Sequence, residues 1–365
     1  MHTVAYYVSD YGYGHAARSI AVIRAWLQSA ATPYRIVVCS SERILSFMRS
    51  SLQEHSESVC YRRCASELGY VLHAGSIEPD FAAFRKKYKA YVQALPMEVR
   101  READFLHNSQ VELVVSDISP IALLAAQQAQ IRSAGVSNFT WYTAYRSMLD
   151  RLSLQPLNEA YAAMDYYIRL AGAKEPDWGR LGSMESGFYC RKPDWNEVSA
   201  IRETINPGGK KMLVYFAIGM SIDVHQLGQM KLWENEAYHF IVSSNMKVSH
   251  KNVTAIPASY TESQNYVAAS ELVITKPGWS TVSEAVVLHK PLVLVQRGAM
   301  REDSNTIRAL QNNHPFHLID WEQLMDGNIM NGARSSCGLS TFRRETGEGA
   351  GQIAAYLDQI VRSGS

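Results

Sequence analysis

Short apolar runs, many of them β-branched, recur along the chain: Val4 to Val8, Arg35 to Cys39, Val111 to Val115, Met212 to Ala217, His239 to Val242, Glu271 to Thr275 and Pro291 to Val295. They are apolar at successive rather than alternate positions, the pattern of strands buried on both faces. Between most of them, apolar residues return at helical spacing. Ile20, Ile23 and Leu27 share one face after His15, and Val282, Ala285 and Val286 share another after Trp279. This alternation predicts α/β architecture, with parallel sheets covered on both sides by helices. Phe81 to His107 reads as one long amphipathic helix, with Phe84, Tyr88, Tyr91 and Leu95 on a stripe that a core would cover.

The pattern lapses between about Gly182 and Lys211, where Lys192-Pro193-Asp194-Trp195 and Asn206-Pro207-Gly208-Gly209 punctuate a short helix. A fresh strand, Met212 to Ala217, then runs into a glycine turn at Ile218-Gly219-Met220-Ser221. The opening strand meets its own glycine turn at Ser9 to His15. Two units that each open strand, glycine turn, helix predict two Rossmann-like domains, over residues 1-190 and 191-345. Residues 346-365 read as a terminal helix, with Ile353, Tyr356, Leu357 and Ile360 on its apolar stripe. The 365 residues also fit two domains at ~100–200 residues each.

Composition removes whole classes. The chain is 47% hydrophobic and 19% charged, with 36 basic against 35 acidic side chains and a net charge of +1. Neither a disordered chain nor a disulfide scaffold has that balance, and no general field draws the protein to nucleic acid or an acidic membrane. The five cysteines, Cys39, Cys60, Cys64, Cys190 and Cys337, are odd in number and scattered, as expected for reduced thiols in a cytoplasmic protein. The opening residues lack the basic region of a secretory signal, and no apolar run reaches the ~18 residues of a membrane span. Membrane contact, if any, is expected to be peripheral.

Three segments can carry chemistry. In the first turn, Gly12-x-Gly14-x-x-Ala17 formally satisfies a dinucleotide fingerprint, with Glu42 after the second strand as a ribose-binding acid. His15, however, sits where backbone amides are expected to cradle phosphate. A His at a strand-to-helix junction can instead take a proton from a hydroxyl; the plainer reading is a local hydrogen bond at the helix start. Asp117 follows the apolar strand ending at Ser116. Strand ends face the ligand crevice in such sheets, so Asp117 and His15 can meet there, a carboxylate fixing the imidazole tautomer. The alternative is that Asp117 caps the helix starting near Pro120.

The segment Lys276-Pro277-Gly278-Trp279-Ser280-Thr281-Val282-Ser283-Glu284 is the sharpest signal. A strand, a Pro-Gly turn, hydroxyl residues and then a helix bring amide donors and a positive dipole end to one point, an anion site suited to a diphosphate. Glu284, one turn on, can accept from vicinal ribose hydroxyls. Glu302 and Asn305, opening another helix, can bind sugar hydroxyls or form an ordinary acidic helix start. Asp-x-Asp, His-Glu-x-x-His, Walker and nucleophile-elbow motifs are absent from the sequence, and His314 and His317 lie on no predicted helix that would align them on zinc. A diphosphate leaving group then has to be neutralised by a helix N-terminus, with no metal cofactor.

With those residues in place the chain resembles a glycosyltransferase of the GT-B fold. It is similar to the glycosyltransferase-like region at the N-terminus of plant arabinokinases. More distantly it resembles the transferase that adds N-acetylglucosamine in peptidoglycan synthesis, and the UDP-sugar-dependent enzymes of small molecules. The matching blocks are Tyr6 to Arg18, Val114 to Pro120, Ser137 to Trp141, and Lys276 to Glu284 with the Glu302 segment. The resemblance implies two Rossmann-like domains facing across a cleft, the N-terminal one on the acceptor side and the C-terminal one holding a sugar nucleotide. The terminal helix would return to the N-terminal domain. Residues 182–211 and the glycines Gly347, Gly349 and Gly351 would form the hinges. His15 matches the catalytic base and Asp117 its partner. Gly14, Gly219, Met220, Ser221, Gly278, Ser280 and Thr281 are implied near the diphosphate, Glu284 at the ribose, and Glu302 and Asn305 at the donor sugar. Arg301-Glu302 replaces the family's Asp-Gln pair. Trp141 and Tyr142 are candidate acceptor contacts, against a core helix start as the plainer reading.

The resulting expectation is an inverting, metal-independent glycosyltransferase. A nucleoside-diphosphate sugar is its donor, with uridine the base implied by resemblance. The acceptor is a natural product, lipid, protein or modified nucleic acid. A GT-B sugar-nucleotide epimerase or hydrolase shares the same donor pocket and stays open. So do a non-catalytic sugar-nucleotide binder and a nicotinamide-dependent oxidoreductase using the first glycine turn. No kinase region follows within these residues, so no arabinokinase activity is expected.

Overall fold

The computed structural model describes residues 1–64, 67–71, 80–218, 227–243, 245–296, 300–311, 313–327, 329 and 347–364. They fall into two compact units. The first comprises the described residues of Met1–Val71, Pro79–Gly187 and Glu348–Ser365, the second those of Phe188–Gly347.

In the first unit the strands are β1 His2–Tyr7, β2 Tyr34–Ser40, β3 Val59–Arg63, β4 Leu113–Ser116, β5 Arg132–Ser137, β6 Tyr166–Leu170 and β7 Gly182–Ser186. They form one parallel sheet in the order β3-β2-β1-β4-β5-β6-β7. The order reverses between β1 and β4, whose inner residues Val4, Ala5, Val114 and Val115 are fully buried. Apolar side chains on both faces are what a doubly covered sheet requires. On one face Leu95, Val99 and Leu106 of the long helix Phe81–Asn108 join Ile121 and Ala125 of Pro120–Gln128 over Ala5, Tyr7, Val37 and Val114. Asp80 caps the long helix by accepting from the Ala83 amide at 2.9 Å. A second cluster is aromatic, built from Phe84, Tyr88, Trp141, Tyr145, Tyr161 and Trp178.

The final helix, Gly349–Arg362, belongs to this unit and packs on the helix Tyr13–Ser29. Its stripe buries Ile353, Leu357 and Ile360. Polar ties fix its far end: the Tyr34 hydroxyl donates to Asp358 at 2.7 Å, and Arg132 donates to the Ile360 carbonyl at 3.0 Å. Of the three glycines expected as a hinge, only Gly347 has a left-handed backbone, with φ +71. Gly349 and Gly351 lie inside the helix, where i→i+4 hydrogen bonding removes the freedom a hinge needs. The stretch after Gly182 contains the expected short helix, Trp195–Ile205, but opens with edge strand β7 beside β6, which the lapse in the apolar pattern did not predict.

The second unit repeats the plan with β8 Met212–Ala217, β9 Tyr238–Val242, β10 Val253–Ala255, β11 Leu272–Thr275, β12 Leu292–Val295 and β13 Phe316–Ile319. Its parallel order is β10-β9-β8-β11-β12-β13, reversing between β8 and β11. Phe216, Trp233, Phe240, Ile274 and Val293 lie at the centre of its core.

Candidate active site

Two strand ends meet at the switch point of the first sheet. Tyr7 pairs with Ser116 in register, and the Asp117 amide donates to the Tyr7 carbonyl at 2.9 Å. Beyond β1 the chain turns through Gly12, whose backbone is extended, into the helix Tyr13–Ser29, with Gly14 and His15 in its first turn. Ligands of doubly wound sheets bind at this place, where the crevice opens beyond the carboxyl ends of the strands.

His15 and Asp117 are brought into direct contact, with Nδ1 and Oδ2 2.5 Å apart. Their side chains are 12% and 2% exposed. A proton has to lie between these two atoms, because a bare Nδ1 would set its lone pair against a carboxylate oxygen. With that proton on Nδ1, a neutral imidazole has its lone pair on Nε2. The capping task that Asp117 could have had belongs to Ser119, whose hydroxyl accepts from the Ala122 amide at 3.3 Å.

A third member of the cluster was not expected from the sequence. Arg18, one turn beyond His15, donates from Nε to Asp117 Oδ1 at 2.7 Å and also pairs with it through Nη2. It reaches Asn138 Oδ1 at 2.9 Å and Ser137 Oγ at 3.3 Å. Burial by itself would raise the Asp117 pKa, but the charges and hydrogen bonds of Arg18 and His15 outweigh it and hold the carboxyl below its ordinary range. The available signal was an Arg at i+3 from His15, among positions otherwise reading as a buried helix face.

Glu67 was missed as well, since it lies on no regular element. It accepts from the Asp10 amide at 2.9 Å and from the Trp141 indole at 2.7 Å, tying the turn before His15 to the aromatic cluster. Burial pushes its carboxyl up to about 7, against hydrogen bonds from Ser9 and Trp141 that lower it. The folded state therefore keeps a proton that the unfolded chain has released, and this group costs stability as pH rises from its ordinary value through 7. In Glu67→Gln that cost is gone. Between about pH 5 and pH 8 the stability difference should move in the variant's favour by about 1–3 kcal/mol, allowing for partial solvent screening. Urea unfolding at both pH values measures it, and parallel wild-type and variant profiles would refute the assignment.

Trp141 fits its plainer reading as a core helix start. It is 1% exposed, packed edge-on to Tyr11, Tyr70 and Phe139 and stacked on Tyr145, so it offers no surface to a ligand here. Tyr142 is half-buried, with its ring against Trp178 and Arg146. Glu42 opens the helix Glu42–Ser51, 60% exposed and 3.6 Å from Arg49.

In the second unit the segment after β11 lies at that sheet's own switch point. The Gly278 amide donates to the Lys276 carbonyl at 2.7 Å, turning the chain out of the strand and into the helix Trp279–Val287. No side chain caps this helix, and Ser280 and Thr281 occupy its first turn half-buried. Glu284 is 4% exposed, with Oε1 3.5 Å from Nη2 of Arg191. Burial raises the Glu284 carboxyl pKa, and the Arg191 charge opposes the rise. Arg191, which the sequence did not single out, also donates to the Thr261 carbonyl at 2.6 Å and to Ser263 Oγ at 3.1 Å. Glu284 is thus a carboxylate already oriented by a fixed cation. Glu302 and Asn305 share the first turns of the helix Arg301–Leu310, 9% and 0% exposed, and Asn305 Oδ1 accepts from Arg308 at 3.4 Å. Gly219, Met220 and Ser221 lie outside the described residues.

Among the described residues no group of three or more His, Cys, Asp or Glu could hold a metal ion. His314 spends Nε2 on the Lys290 carbonyl at 2.8 Å, while His317 lies in β13. No helix among the described residues is long and apolar enough to cross a membrane.

Comparison with known proteins agrees with this architecture. Residues 224–314 match the model of the glycosyltransferase family 28 C-terminal domain. The chain is 26% identical over 381 residues to L-arabinokinase of Arabidopsis thaliana, covering 98% of this chain but 32% of that protein. It thus spans about a third of the length of the curated relative it matches. Among solved structures it is similar to CalG4, the calicheamicin glycosyltransferase, with TM-score 0.66 and 13% identity, covering 100% of this chain and 99% of that one. It is also similar to UGT2 of Phytolacca americana, complexed with UDP-2-fluoro-glucose and pterostilbene, with TM-score 0.56 and 11% identity, covering 100% and 94%. At such identities the structures speak for the fold, and the sequence match speaks for the second unit. The chain therefore has the two-sheet GT-B architecture of these structures, and residues 224–314 of its second unit match the glycosyltransferase family 28 C-terminal domain.

Proposed function

We propose that this chain is an inverting glycosyltransferase that moves a sugar from a nucleoside diphosphate, with uridine as the base, to an acceptor hydroxyl. The contact between His15 and Asp117 at the first sheet's switch point carries the reading, since it leaves Nε2 as the basic nitrogen of a fixed tautomer. In the proposed step Nε2 takes the acceptor proton and the acceptor oxygen bonds to the anomeric carbon. The bond from that carbon to the diphosphate oxygen breaks on the opposite side, and its electron pair leaves with the nucleotide. A single displacement of this kind inverts the anomeric centre. Asp117 steadies the imidazolium as it forms.

The donor is assigned to the second unit. The amide end of the helix beginning at Trp279 faces developing negative charge with no reorganisation, the role a metal would otherwise fill. Ser280 and Thr281 add hydroxyl donors, Glu284 accepts from the ribose, and Glu302 and Asn305 read the donor sugar. The family 28 match over this unit and the UDP-sugar in the Phytolacca enzyme support the assignment. The free thiols Cys39, Cys60, Cys64 and Cys190 suit a reducing, cytoplasmic setting.

Thermal unfolding with a panel of nucleoside diphosphates and their sugars tests the donor. A ligand at ~100 times its Kd stabilises the fold by about 2.7 kcal/mol, and UDP or a UDP-sugar should be the one that does so. If none of the panel raises the unfolding temperature, the donor assignment fails. Incubating the stabilising donor alone separates the activities: a persistent donor agrees with a transferase awaiting its acceptor, whereas an isomerised or rapidly hydrolysed one makes the protein an epimerase or hydrolase. With an acceptor in hand, NMR of the product anomer should show inversion.

A further inference from the structure

Asp117 has two carboxylate oxygens and two very different neighbours. Oδ2 faces His15 Nδ1 at 2.5 Å, while Oδ1 takes the Arg18 guanidinium through Nε and Nη2. The guanidinium is planar and forked, and here its directions are all committed. Beyond Asp117 it reaches Asn138 Oδ1 at 2.9 Å and Ser137 Oγ at 3.3 Å, and Nη2 lies 3.0 Å from His15 Nδ1, close enough for its charge to bear on the ring. The Arg18 side chain is 3% exposed, so its charge acts with little screening. A permanent cation in this position has two effects on the imidazole. It neutralises much of the carboxylate that would otherwise draw a proton onto His15. It also repels the imidazolium directly.

We propose that Arg18 is a positioning residue: by holding Oδ1 of Asp117 against the Ser137–Asn138 edge, it leaves Oδ2 to fix His15 as the Nδ1–H tautomer and keeps that imidazole neutral until substrate supplies the proton. The inference rests on His15 being the base, as proposed above, but its geometry stands without it. A bare His–Asp pair would hold a proton to higher pH and sit as an unreactive imidazolium over more of the neutral range. Arg18 offsets that tendency while keeping the orienting hydrogen bond. A lysine could carry the charge but not the fork that reaches Asp117, Ser137 and Asn138 together.

Asp10, in the preceding turn, interacts with His15 electrostatically, and Glu67 lies behind Asp10, tied to its amide. On the strand side, buried Tyr6 has its hydroxyl pKa raised by burial and by Asp117, so it stays neutral through the working range. From the end of β5 the nearest ring is that of Phe139, edge-on at 6.3 Å. Among the described residues, the positive groups acting on Asp117 are Arg18 and His15.

The test needs no substrate. Of the 11 histidines, His15 is assigned in 15N-histidine NMR spectra by its absence in His15→Gln. Wild-type His15 should show a protonated Nδ1 and an unprotonated Nε2 at neutral pH. In Arg18→Gln, the midpoint at which the His15–Asp117 pair takes up its proton should rise by about 1 pH unit or more, and Arg18→Lys should recover most of that shift. An unchanged midpoint in Arg18→Gln, or an Nε2–H tautomer in the wild type, overturns the proposal. Should Arg18→Gln fail to fold, the wild type still decides. The Arg18 Nε–H resonance should move with the same midpoint as His15, and a resonance indifferent to it would refute the coupling. These readings are independent of the donor screen, so a protein that binds no sugar nucleotide would strike the functional reading and leave this one to the NMR.

Discussion

His15→Ala should lower glycosyl transfer by about 10²–10⁴-fold, the usual worth of a positioned general base, while leaving donor affinity within about twofold of wild type. The separation of the two effects is the point of the experiment. His15 belongs to the first unit, and Ser280, Thr281, Glu284, Glu302 and Asn305, proposed for the donor, belong to the second, so the imidazole is none of the proposed diphosphate or ribose groups. His15 is 12% exposed at a helix start, and its removal vacates little core volume, which limits the structural damage. Donor binding is read by calorimetry and turnover by nucleotide release in the presence of acceptor. Turnover equal to wild type would remove His15 from the mechanism. Loss of both binding and turnover would instead make it a donor-site residue.

Asp117→Asn should be the most destabilising change at the site, at about 3–5 kcal/mol, because it leaves the Arg18 charge buried without its counter-ion. Asn can still accept from one partner, but it cannot oppose a guanidinium and an imidazole together. The pH dependence gives the sign. The folded-state Asp117 pKa lies below its ordinary value, so the stability from ionisation is fully present above about pH 4 and is lost as pH falls through the lowered value. Apart from the change that accompanies titration of His15, the gap between wild type and Asp117→Asn should therefore hold down to about pH 4 and narrow in stronger acid. Chemical denaturation over that range measures it. A gap that has vanished by about pH 5 would mean that Asp117 is not held as a carboxylate. Combining the change with Arg18→Gln should cost less than the sum of the single variants, since neither charge is then left alone.

Much of the scaffold was legible along the chain because its central strands are buried on both faces and leave unbroken apolar runs. The runs at Val4, Arg35, Val111, Met212, His239, Glu271 and Pro291 all correspond to strands. Six strands, β3, β5, β6, β7, β10 and β13, went unread, and four of them carry weaker patterns for identifiable reasons. β7, Gly-Ser-Met-Glu-Ser, is an edge strand with one neighbour and little to bury. β5, Arg-Ser-Ala-Gly-Val-Ser, is almost wholly buried but made of small residues, since Met164 and Tyr167 crowd against Gly135 and leave no room for a larger side chain. β10 and β13 are short edges of the second sheet.

The site divides in the same way. Sequence by itself determined the strand-turn-helix junctions that deliver His15 and the Gly278 to Glu284 segment, because local propensity and apolar periodicity act within a few residues of each. It also limited where Asp117 could lie, at the end of a buried strand. Only the tertiary structure decided that Asp117 serves His15 and not the helix after it, since the contact spans 102 positions and depends on the register of β1 with β4. The same holds for Arg18 bridging to Asn138, for Glu67 clamping the turn to Trp141, and for Arg191 holding Glu284. A charged side chain on an apolar face looks like an error in a periodic pattern until the partner that neutralises it comes from a distant strand. Its burial is tolerated only because the folded chain supplies that partner, and this information resides in the packing of elements and not in any one of them.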